Sequence, residues 1–154
     1  MFLNFIRFLN TFSSALVMGA VFGVWLGFDP FSLSPTAYIE QQQNLISALN
    51  VLMPRLGFVT IIVTLINAFL NKRKKIKMTW LIVASLCFIA AGLITAFGNQ
   101  VINAVVITWN PEKPPIGWMR YRDEWWTLHC YRTLASVLGM TIVIWINTKT
   151  DTIP

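Results

Sequence analysis

The sequence predicts an all-α membrane protein, a bundle of four transmembrane helices in which helices two and three extend beyond the outer face. Two observations carry this prediction. Apolar residues make up 56% and charged residues 12% of the 154 residues, whereas a soluble domain is about half apolar and a quarter charged. Four apolar runs also approach the length of about 20 residues that a helix needs to cross a bilayer. This composition excludes a disordered tail, a fibrous repeat and nearly all soluble enzymes.

The four spans are expected to form one integral membrane domain, 1–154, with the first span retained. That run carries only Arg7 and is too long for the apolar core of a signal peptide. The predicted spans cover about residues 2–28, 52–70, 78–98 and 130–147.

Helices two and three are longer than a bilayer requires. Pro35 suits the first turn of a helix, and a continuous helix from Thr36 to Leu70 would be about 52 Å long at 1.5 Å per residue. The hydrocarbon core is only about 30 Å thick. Pro54 is expected to kink this helix because it removes a backbone hydrogen bond. The segments 29–51 and 99–129 are therefore expected to form an outer layer.

Basic residues predict the orientation of the chain. Five of the twelve lie between Lys72 and Lys77, in the short loop that joins spans two and three. Cytoplasmic loops are enriched in Lys and Arg, so this loop and both termini are predicted to be cytoplasmic, as in a bacterial inner membrane. Because the loop also explains much of the net charge of +6, the predicted partner is the lipid bilayer and not nucleic acid.

Small residues recur every fourth position on the first helix, at Ala15, Gly19, Gly23 and Gly27. Such a stripe lets helices approach closely in a membrane. It is expected to pack inside the bundle, and a homo-oligomer contact is the alternative.

Polar side chains within the spans are expected to lie on the outer halves of helices two, three and four, and such residues are functional candidates because a membrane makes them costly. On helix three, Thr95, Asn99 and Asn103 share one face at a spacing of four. Helix two contributes Gln42 and Asn50. These amides could donate and accept hydrogen bonds in a pocket, or join neighbouring helices.

Helix four opens with the segment RDEWWTLHCYR, which places Arg122, Trp126 and His129 on one face with Arg132 beside them. His129 is the only histidine of the chain, and histidine can act as an acid, a base or a ligand near neutral pH. The neighbouring Trp125 is typical of aromatic residues at a membrane interface.

One histidine and two distant cysteines do not form a zinc site. No metal site is predicted, with a set of His129, Glu124 and Glu40 as the alternative, and no cofactor is identified. The remaining groups suit a flat, partly apolar ligand such as a quinone or phenol. The predicted catalytic residues are His129, Asn99, Asn103 and Arg132. The predicted ligand-binding residues are Gln42, Asn50, Arg122 and Trp126.

The segments YIEQQQNLISALNVLMPRLG, GNQVINAVVITWNPEKPPIGW and RDEWWTLHCYR together resemble the anthrone-oxygenase-like family of small four-helix membrane proteins, over about residues 8–147. The matching motif positions are Asn50, Met53 and Pro54 on helix two, Gly98, Asn99 and Asn103 on helix three, and Trp126, His129 and Arg132 on helix four. The resemblance implies oxidation of an anthrone to an anthraquinone by dioxygen. It implies His129 as the base, with Asn99, Asn103 and Arg132 holding the enolate oxygen.

Two functions follow as hypotheses. The first is an oxidoreductase that acts on an aromatic or quinone-like ligand in an outer-face pocket. The second is a non-catalytic subunit or assembly factor of a larger membrane protein complex. A transporter is disfavoured because the chain has no internal repeat and no charged stripe through the membrane centre.

Overall fold

The computed structural model describes residues 1–149, and all regular structure within them is helical. The elements are α1 Phe2–Gly27, α2 Pro35–Leu49, α3 Leu52–Leu70, α4 Lys75–Ile94, a π-helical turn Thr95–Asn99, α5 Gln100–Val106 and α6 Trp118–Thr148. Because no break separates α4, the π turn and α5, they form one continuous rod. The prediction of an all-α fold is confirmed.

Four helical segments are long and apolar enough to cross a membrane: α1, α3, the α4–α5 rod and α6. Large apolar side chains on these segments are exposed, among them Leu26 (73%), Phe58 (66%) and Phe97 (79%). Apolar surface of this kind is unfavourable in water, whereas lipid solvates it. The chain is therefore a multi-pass membrane protein, as the sequence predicted.

The four spans pack as a closed ring. Helix α6 contacts α1 and α4, and α3 contacts the same two helices from the other side. At Gly139 on α6, an added Cβ would lie 3.0 Å from the ring of Phe88 on α4. The missing side chain at Gly139 thus allows α4 and α6 to pack closely.

One end of the bundle, which we call the basic end, holds the start of α1, the end of α6 and the Lys72–Lys77 loop. Arg7 Nη2 donates to Asn71 Oδ1 at 3.3 Å, and Asn147 Nδ2 donates to the Arg7 carbonyl at 3.2 Å. The opposite end carries α2 and α5, and we call it the α2 end.

The basic end contains a buried polar network that the sequence analysis missed. Asn67 Nδ2 donates to Asn10 Oδ1 at 2.9 Å and to Asn147 Oδ1 at 3.0 Å, and Asn10 Nδ2 donates to Thr64 Oγ1 at 2.6 Å. The expectation that polar residues lie only on the outer halves of the later helices is therefore wrong. This network joins α1, α3 and α6 through bonds that fix their relative rotation.

Helix α2 begins at Pro35, as predicted, and the Ser34 hydroxyl caps it by accepting from the Ala37 N–H at 3.3 Å. The regular helix is interrupted at Asn50–Val51, where both residues keep right-handed helical backbone angles. This break lies where the kink at Pro54 was predicted. Pro54 explains the break, since it has no N–H to donate to the carbonyl four residues earlier.

The break lets α2 lie against α5 as a separate helix. Gln43 Nε2 donates to the carbonyls of Val106 at 3.0 Å and Trp109 at 2.8 Å, where α5 ends and its carbonyls need partners. A buried apolar cluster completes this contact, formed by Phe28, Tyr38, Ile39, Ile46, Ile102, Val106 and Trp125. The cluster covers the α2 end of the bundle.

The glycine stripe of α1 does not pack inside the bundle. A Cβ added at Gly19, Gly23 or Gly27 would meet no atom within 4 Å. These glycines face an open groove between α1 and α2. The expectation of packing within the bundle is wrong, because α2 leans on α5 and leaves this side of α1 uncovered.

Candidate functional site

Two adjoining cavities lie inside the bundle towards the α2 end. The smaller, of about 40 Å³, has a polar wall that includes Gln42, Asn50 and Asn103, and we call it the polar cavity. The larger, of about 210 Å³, lies deeper between α3, α4 and α6 with a mostly apolar wall, and we call it the apolar chamber. Six residues line both spaces: Val21, Met53, Pro54, Thr95, Gln100 and Arg132.

Arg132 is the charged group at the junction of the two cavities. Its guanidinium lies 5.5 Å from the centre of the Trp125 ring and donates to His129 Nδ1 through Nε at 3.0 Å and Nη2 at 2.8 Å. No carboxylate forms an ion pair with it among residues 1–149. The Arg132 side chain is partly buried, and a cation withdrawn from water without a counter-ion is costly, so this position favours an anionic ligand.

His129 lies behind Arg132 and is fully buried. Its ring stacks on Trp125 at a centroid distance of 5.1 Å, and it lines neither cavity. A guanidinium is a donor only, so Nδ1 acts as the acceptor and the neutral ring carries its proton on Nε2. Nε2 lies near the Val21 backbone carbonyl but makes no hydrogen bond of good geometry within the described residues.

Trp125 and Asn103 form the back wall of the polar cavity. Trp125 Nε1 donates to Asn103 Oδ1 at 2.9 Å, and Asn103 Nδ2 donates to Asn50 Oδ1 at 2.9 Å. Trp125 is only 3% exposed, so its assignment to the membrane interface is wrong. The hydrogen bond to Asn103 satisfies the indole N–H and allows the ring to be buried.

Gln100 closes the gap that Pro54 creates. Pro54 leaves the Asn50 carbonyl without its helical donor, and Gln100 Nε2 donates to that carbonyl at 3.2 Å. The sequence analysis did not single out Gln100. Gln100 could have been found as a polar residue on a helix that packs against the helix interrupted by Pro54.

The π turn alters the face that the amides share. Thr95 and Asn103 line the polar cavity, but Asn99 does not, and its Nδ2 donates to the Trp125 carbonyl at 3.0 Å. A π turn has more residues per turn than an α-helix, so the spacing of four no longer keeps these residues on one stripe. Asn99 thus supports the wall from behind.

Arg122 and Trp126 lie outside both cavities. Arg122 forms an ion pair with Asp123 at 2.8 Å and stacks its guanidinium over the rings of Phe31 and Trp118. Trp126 packs against Phe28, Phe31 and His129. The structure therefore brings Gln42, Asn50, Asn103 and Arg132 together at a cavity, and it places Asn99, His129, Arg122 and Trp126 elsewhere.

The buried polar groups near the cavities are incompletely paired. Within residues 1–149, four buried atoms have no hydrogen-bond partner: Tyr38 Oη, Gln42 Oε1, Asn99 Oδ1 and His129 Nε2. Burial raises the pKa of the Tyr38 phenol, which therefore stays neutral. The described residues contain no group of three His, Cys, Asp or Glu side chains that could hold a metal ion. His129, Glu124 and Glu40 are thus not assembled as a ligand set.

Comparison with known proteins identifies the family of this chain. The model of the anthrone oxygenase family matches residues 43–142, which include every cavity-lining residue of α2 to α6 except Gln42. Comparison with curated proteins and with solved structures finds no match. Because the family match covers well over half of the chain, this membrane protein belongs to the anthrone oxygenase family.

Proposed function

We propose that the chain is a membrane oxidoreductase that binds an aromatic ligand of the anthrone or quinone-like class as its anion, with the negative oxygen on Arg132. The observation that carries this proposal is the Arg132 guanidinium, which faces both cavities and has no carboxylate partner among residues 1–149. The family assignment supports the class of ligand.

The chemistry requires stabilisation of an enolate. The substrate is an aryl ketone whose CH₂ group is joined to the carbonyl either directly or, as in an anthrone, through the aromatic rings. This CH₂ group loses a proton to water, and the ketone becomes an enolate. A fixed cation at the oxygen favours this anion. The enolate carbon then bonds to dioxygen, and the terminal oxygen of the peroxide anion takes a proton back from water. The resulting hydroperoxide eliminates water to leave a second carbonyl. In sum, one CH₂ group and one O₂ become one C=O group and one H₂O.

Two neutral groups could orient such a ligand. Gln42 Oε1 is a buried acceptor without a partner, and the Asn50 amide faces the polar cavity with its oxygen already bonded to Asn103. The Asn50 NH₂ group can therefore donate to the ligand oxygen beside Arg132. By contrast, the NH₂ groups of Asn99 and Asn103 donate to protein atoms, so our proposal assigns them to the wall.

His129 acts on Arg132 in this proposal and not on the substrate. Its Nδ1 accepts from the guanidinium, and its remaining nitrogen is buried away from both cavities. We therefore propose that His129 is a positioning residue that holds Arg132 against the cavity, in place of the predicted role as base.

The orientation of the site follows from the basic end. Loops rich in Lys and Arg remain in the cytoplasm, so we propose that the basic end and both termini are cytoplasmic. The cavities then lie towards the outer face of the membrane. In a bacterium, we propose that this membrane is the inner membrane.

The test uses anthrone, which enolises, and anthracene, which has the same three rings and no oxygen. Binding to the purified protein in mild detergent is read from tryptophan fluorescence, and turnover is read as oxygen consumption above the protein-free rate. We expect wild type to prefer anthrone, Arg132→Gln to lose that preference and Arg132→Lys to keep part of it. A hydrogen bond to a charged group is worth about 1.5–3 kcal/mol, so binding should weaken roughly 10- to 150-fold.

Arg120→Gln is the matched control, because Arg120 is an exposed arginine on the same helix. The proposal is overturned if Arg132→Gln retains the preference for anthrone, or if Arg120→Gln removes it to the same extent.

A second candidate, a non-catalytic subunit or assembly factor, is favoured by the open groove between α1 and α2. Its α1 wall is the glycine stripe, where a transmembrane helix of a partner could approach closely. Mild-detergent purification followed by particle-mass measurement tests this candidate. A stoichiometric partner that is lost on Gly23→Leu would support it, and a particle of a single chain without bound proteins would contradict it.

A further inference from the structure

The apolar chamber opens sideways between α3 and α4. Its wall includes Pro54 and Phe58 of α3, Gly92 of α4 and Ala96 of the π turn, and these four residues are exposed on the outer surface of the bundle. Both helices belong to candidate membrane spans. The mouth of the chamber therefore faces the region that lipid occupies.

The mouth lies where both α3 and α4 carry a glycine in the chamber wall. Near the basic end the two helices are joined by a short turn and pack through Ala68 and Leu81. Further along, glycines take the place of side chains on both helices. A Cβ added at Gly57 or Gly92 would meet no atom within 4 Å, so the space between the helices stays open.

The water-facing side of the cavities is covered. The apolar cluster of the α2 end includes Phe28, Tyr38 and Trp125, each at most 6% exposed. A ligand from water would have to displace these packed rings. A lipophilic ligand already dissolved in the bilayer would reach the chamber through the gap at Gly57 and Gly92, whereas the groove between α1 and α2 adjoins the polar cavity and not the chamber.

We infer that the α3–α4 gap is a lateral portal through which a lipophilic ligand with one acidic oxygen enters from the bilayer and reaches Arg132. This inference rests on the proposed function for the anionic oxygen, whereas the portal itself rests on the cavity and its exposed mouth. The ring system occupies the apolar chamber, and the oxygen lies at the junction with the polar cavity. An apolar cavity of about 150 Å³ accepts one benzene ring, and the chamber of about 210 Å³ is larger.

The portal also gives a reason for the charge at the end of the chamber. The gap admits any slender apolar molecule, so apolarity alone cannot select among membrane solutes. Arg132 lines the apolar chamber and also lines the polar cavity. A molecule that carries an ionisable oxygen at the end of a rigid ring system can place it there, and a hydrocarbon cannot.

The experiment places a single thiol deep in the chamber and measures how reagents reach it. Cys87 and Cys130 are replaced by Ala, and Ser136→Cys is introduced. Ser136 lines the chamber, is 1% exposed and lies one helical turn from Arg132, whose positive charge favours the reactive thiolate. The protein is reconstituted in phosphatidylcholine vesicles and treated with N-phenylmaleimide, which partitions into lipid, or with a charged sulfonated methanethiosulfonate.

The rate of each reagent with Ser136→Cys is divided by its rate with a small thiol in solution. We expect this relative rate to be at least tenfold higher for the lipid-soluble maleimide than for the charged reagent. Adding Gly57→Leu should slow the maleimide reaction about tenfold, because a leucine side chain fills the gap. Gly92→Leu is the second blocking variant, on the opposite helix, and is used if Gly57→Leu does not fold. Gly23→Leu is the matched control, since it fills the groove between α1 and α2 and leaves the portal open.

Equal relative rates for the two reagents would overturn the inference, because they would indicate access from water. Slowing by Gly23→Leu with no effect of either portal variant would also overturn it and would indicate access along α1. The readout does not use turnover, so it separates this inference from the proposed function. Loss of anthrone preference in Arg132→Gln tests the anion site, and labelling of Ser136→Cys tests the route.

Discussion

The replacement of His129 by Asn or Leu separates a positioning role from a role as base. His129 Nδ1 is the acceptor for two N–H groups of Arg132, at 3.0 and 2.8 Å. The Asn Oδ1 atom takes nearly the same place as Nδ1 and can accept the same bonds, but it does not titrate near neutral pH. Leu has a similar size and offers no acceptor.

The expected magnitude follows from the bonds that are lost. Hydrogen bonds to charged groups are each worth about 1.5–3 kcal/mol, and both bonds share one acceptor. His129→Leu should therefore weaken anthrone binding roughly 10- to 150-fold, because Arg132 loses its anchor. His129→Asn should stay within about tenfold of wild type, with the same dependence of turnover on pH between 5 and 8.

The assay is steady-state oxygen consumption with anthrone, together with thermal unfolding of each variant in detergent. The positioning role is contradicted if His129→Asn unfolds and binds anthrone like wild type yet turns it over as slowly as His129→Leu does. That result would restore His129 as the base. A wild-type pH profile with a titration near 6.5 that is missing in His129→Asn would point in the same direction.

Three further perturbations test how the site is held. Gln100→Leu should destabilise the fold by about 1–3 kcal/mol by exposing an unpaired carbonyl, and Pro54→Ala should reduce that loss in thermal unfolding by supplying a backbone N–H. Gly98→Ala should change stability by no more than about 1 kcal/mol, because its Cβ would lie 2.8 Å from Leu128 Cδ1, the movable end of a half-buried side chain, and alanine favours a helix over glycine by about 1 kcal/mol; with Leu128→Ala in place, Gly98→Ala should stabilise the protein. The pKa of Tyr38 is raised by burial, so stability should fall above about pH 10, and Tyr38→Phe should reduce that fall without loss at neutral pH.

The spans could be predicted because composition alone determines them. Long apolar runs separated by a basic loop or by turn-rich segments leave few alternatives to a helical membrane protein. The start of α2 was also predictable, since Pro35 follows a Ser that can cap it. The interruption before Pro54 was predictable as well, because proline removes a helical hydrogen bond. The partner of the freed Asn50 carbonyl was not, because it is Gln100, a residue 50 positions away in sequence.

The candidate site was predictable in residue type but not in arrangement. Sequence spacing placed Asn99 and Asn103 on one face. The π turn instead places Asn99 behind the wall of the polar cavity and Asn103 in that wall. Trp125 resembles an interfacial residue in the sequence, and only the bond to Asn103 on another helix explains its burial. Arg132 was predicted as a site residue and lines both cavities, but its separation from every carboxylate of residues 1–149 is visible only in three dimensions.

The two polar clusters of the bundle differ in a way that predicts opposite effects of similar substitutions. At the basic end the buried amides of Asn10, Asn67 and Asn71 are hydrogen-bonded, which is the arrangement expected of structural contacts in a membrane. Near the cavities, by contrast, Gln42 keeps an unpaired Oε1 and a single long bond of 3.4 Å to Asn103.

An unpaired buried polar atom costs about 1–3 kcal/mol, and such a cost is commonly retained where it serves binding. Gln42→Met should therefore leave the melting temperature unchanged or raise it while weakening anthrone binding. Asn67→Leu should lower the melting temperature, because it breaks bonds to α1 and α6. If Gln42→Met destabilises the protein as much as Asn67→Leu does and binding is unchanged, Gln42 is a structural contact like the amides of the basic end, and the unpaired atoms near Arg132 do not mark a ligand site.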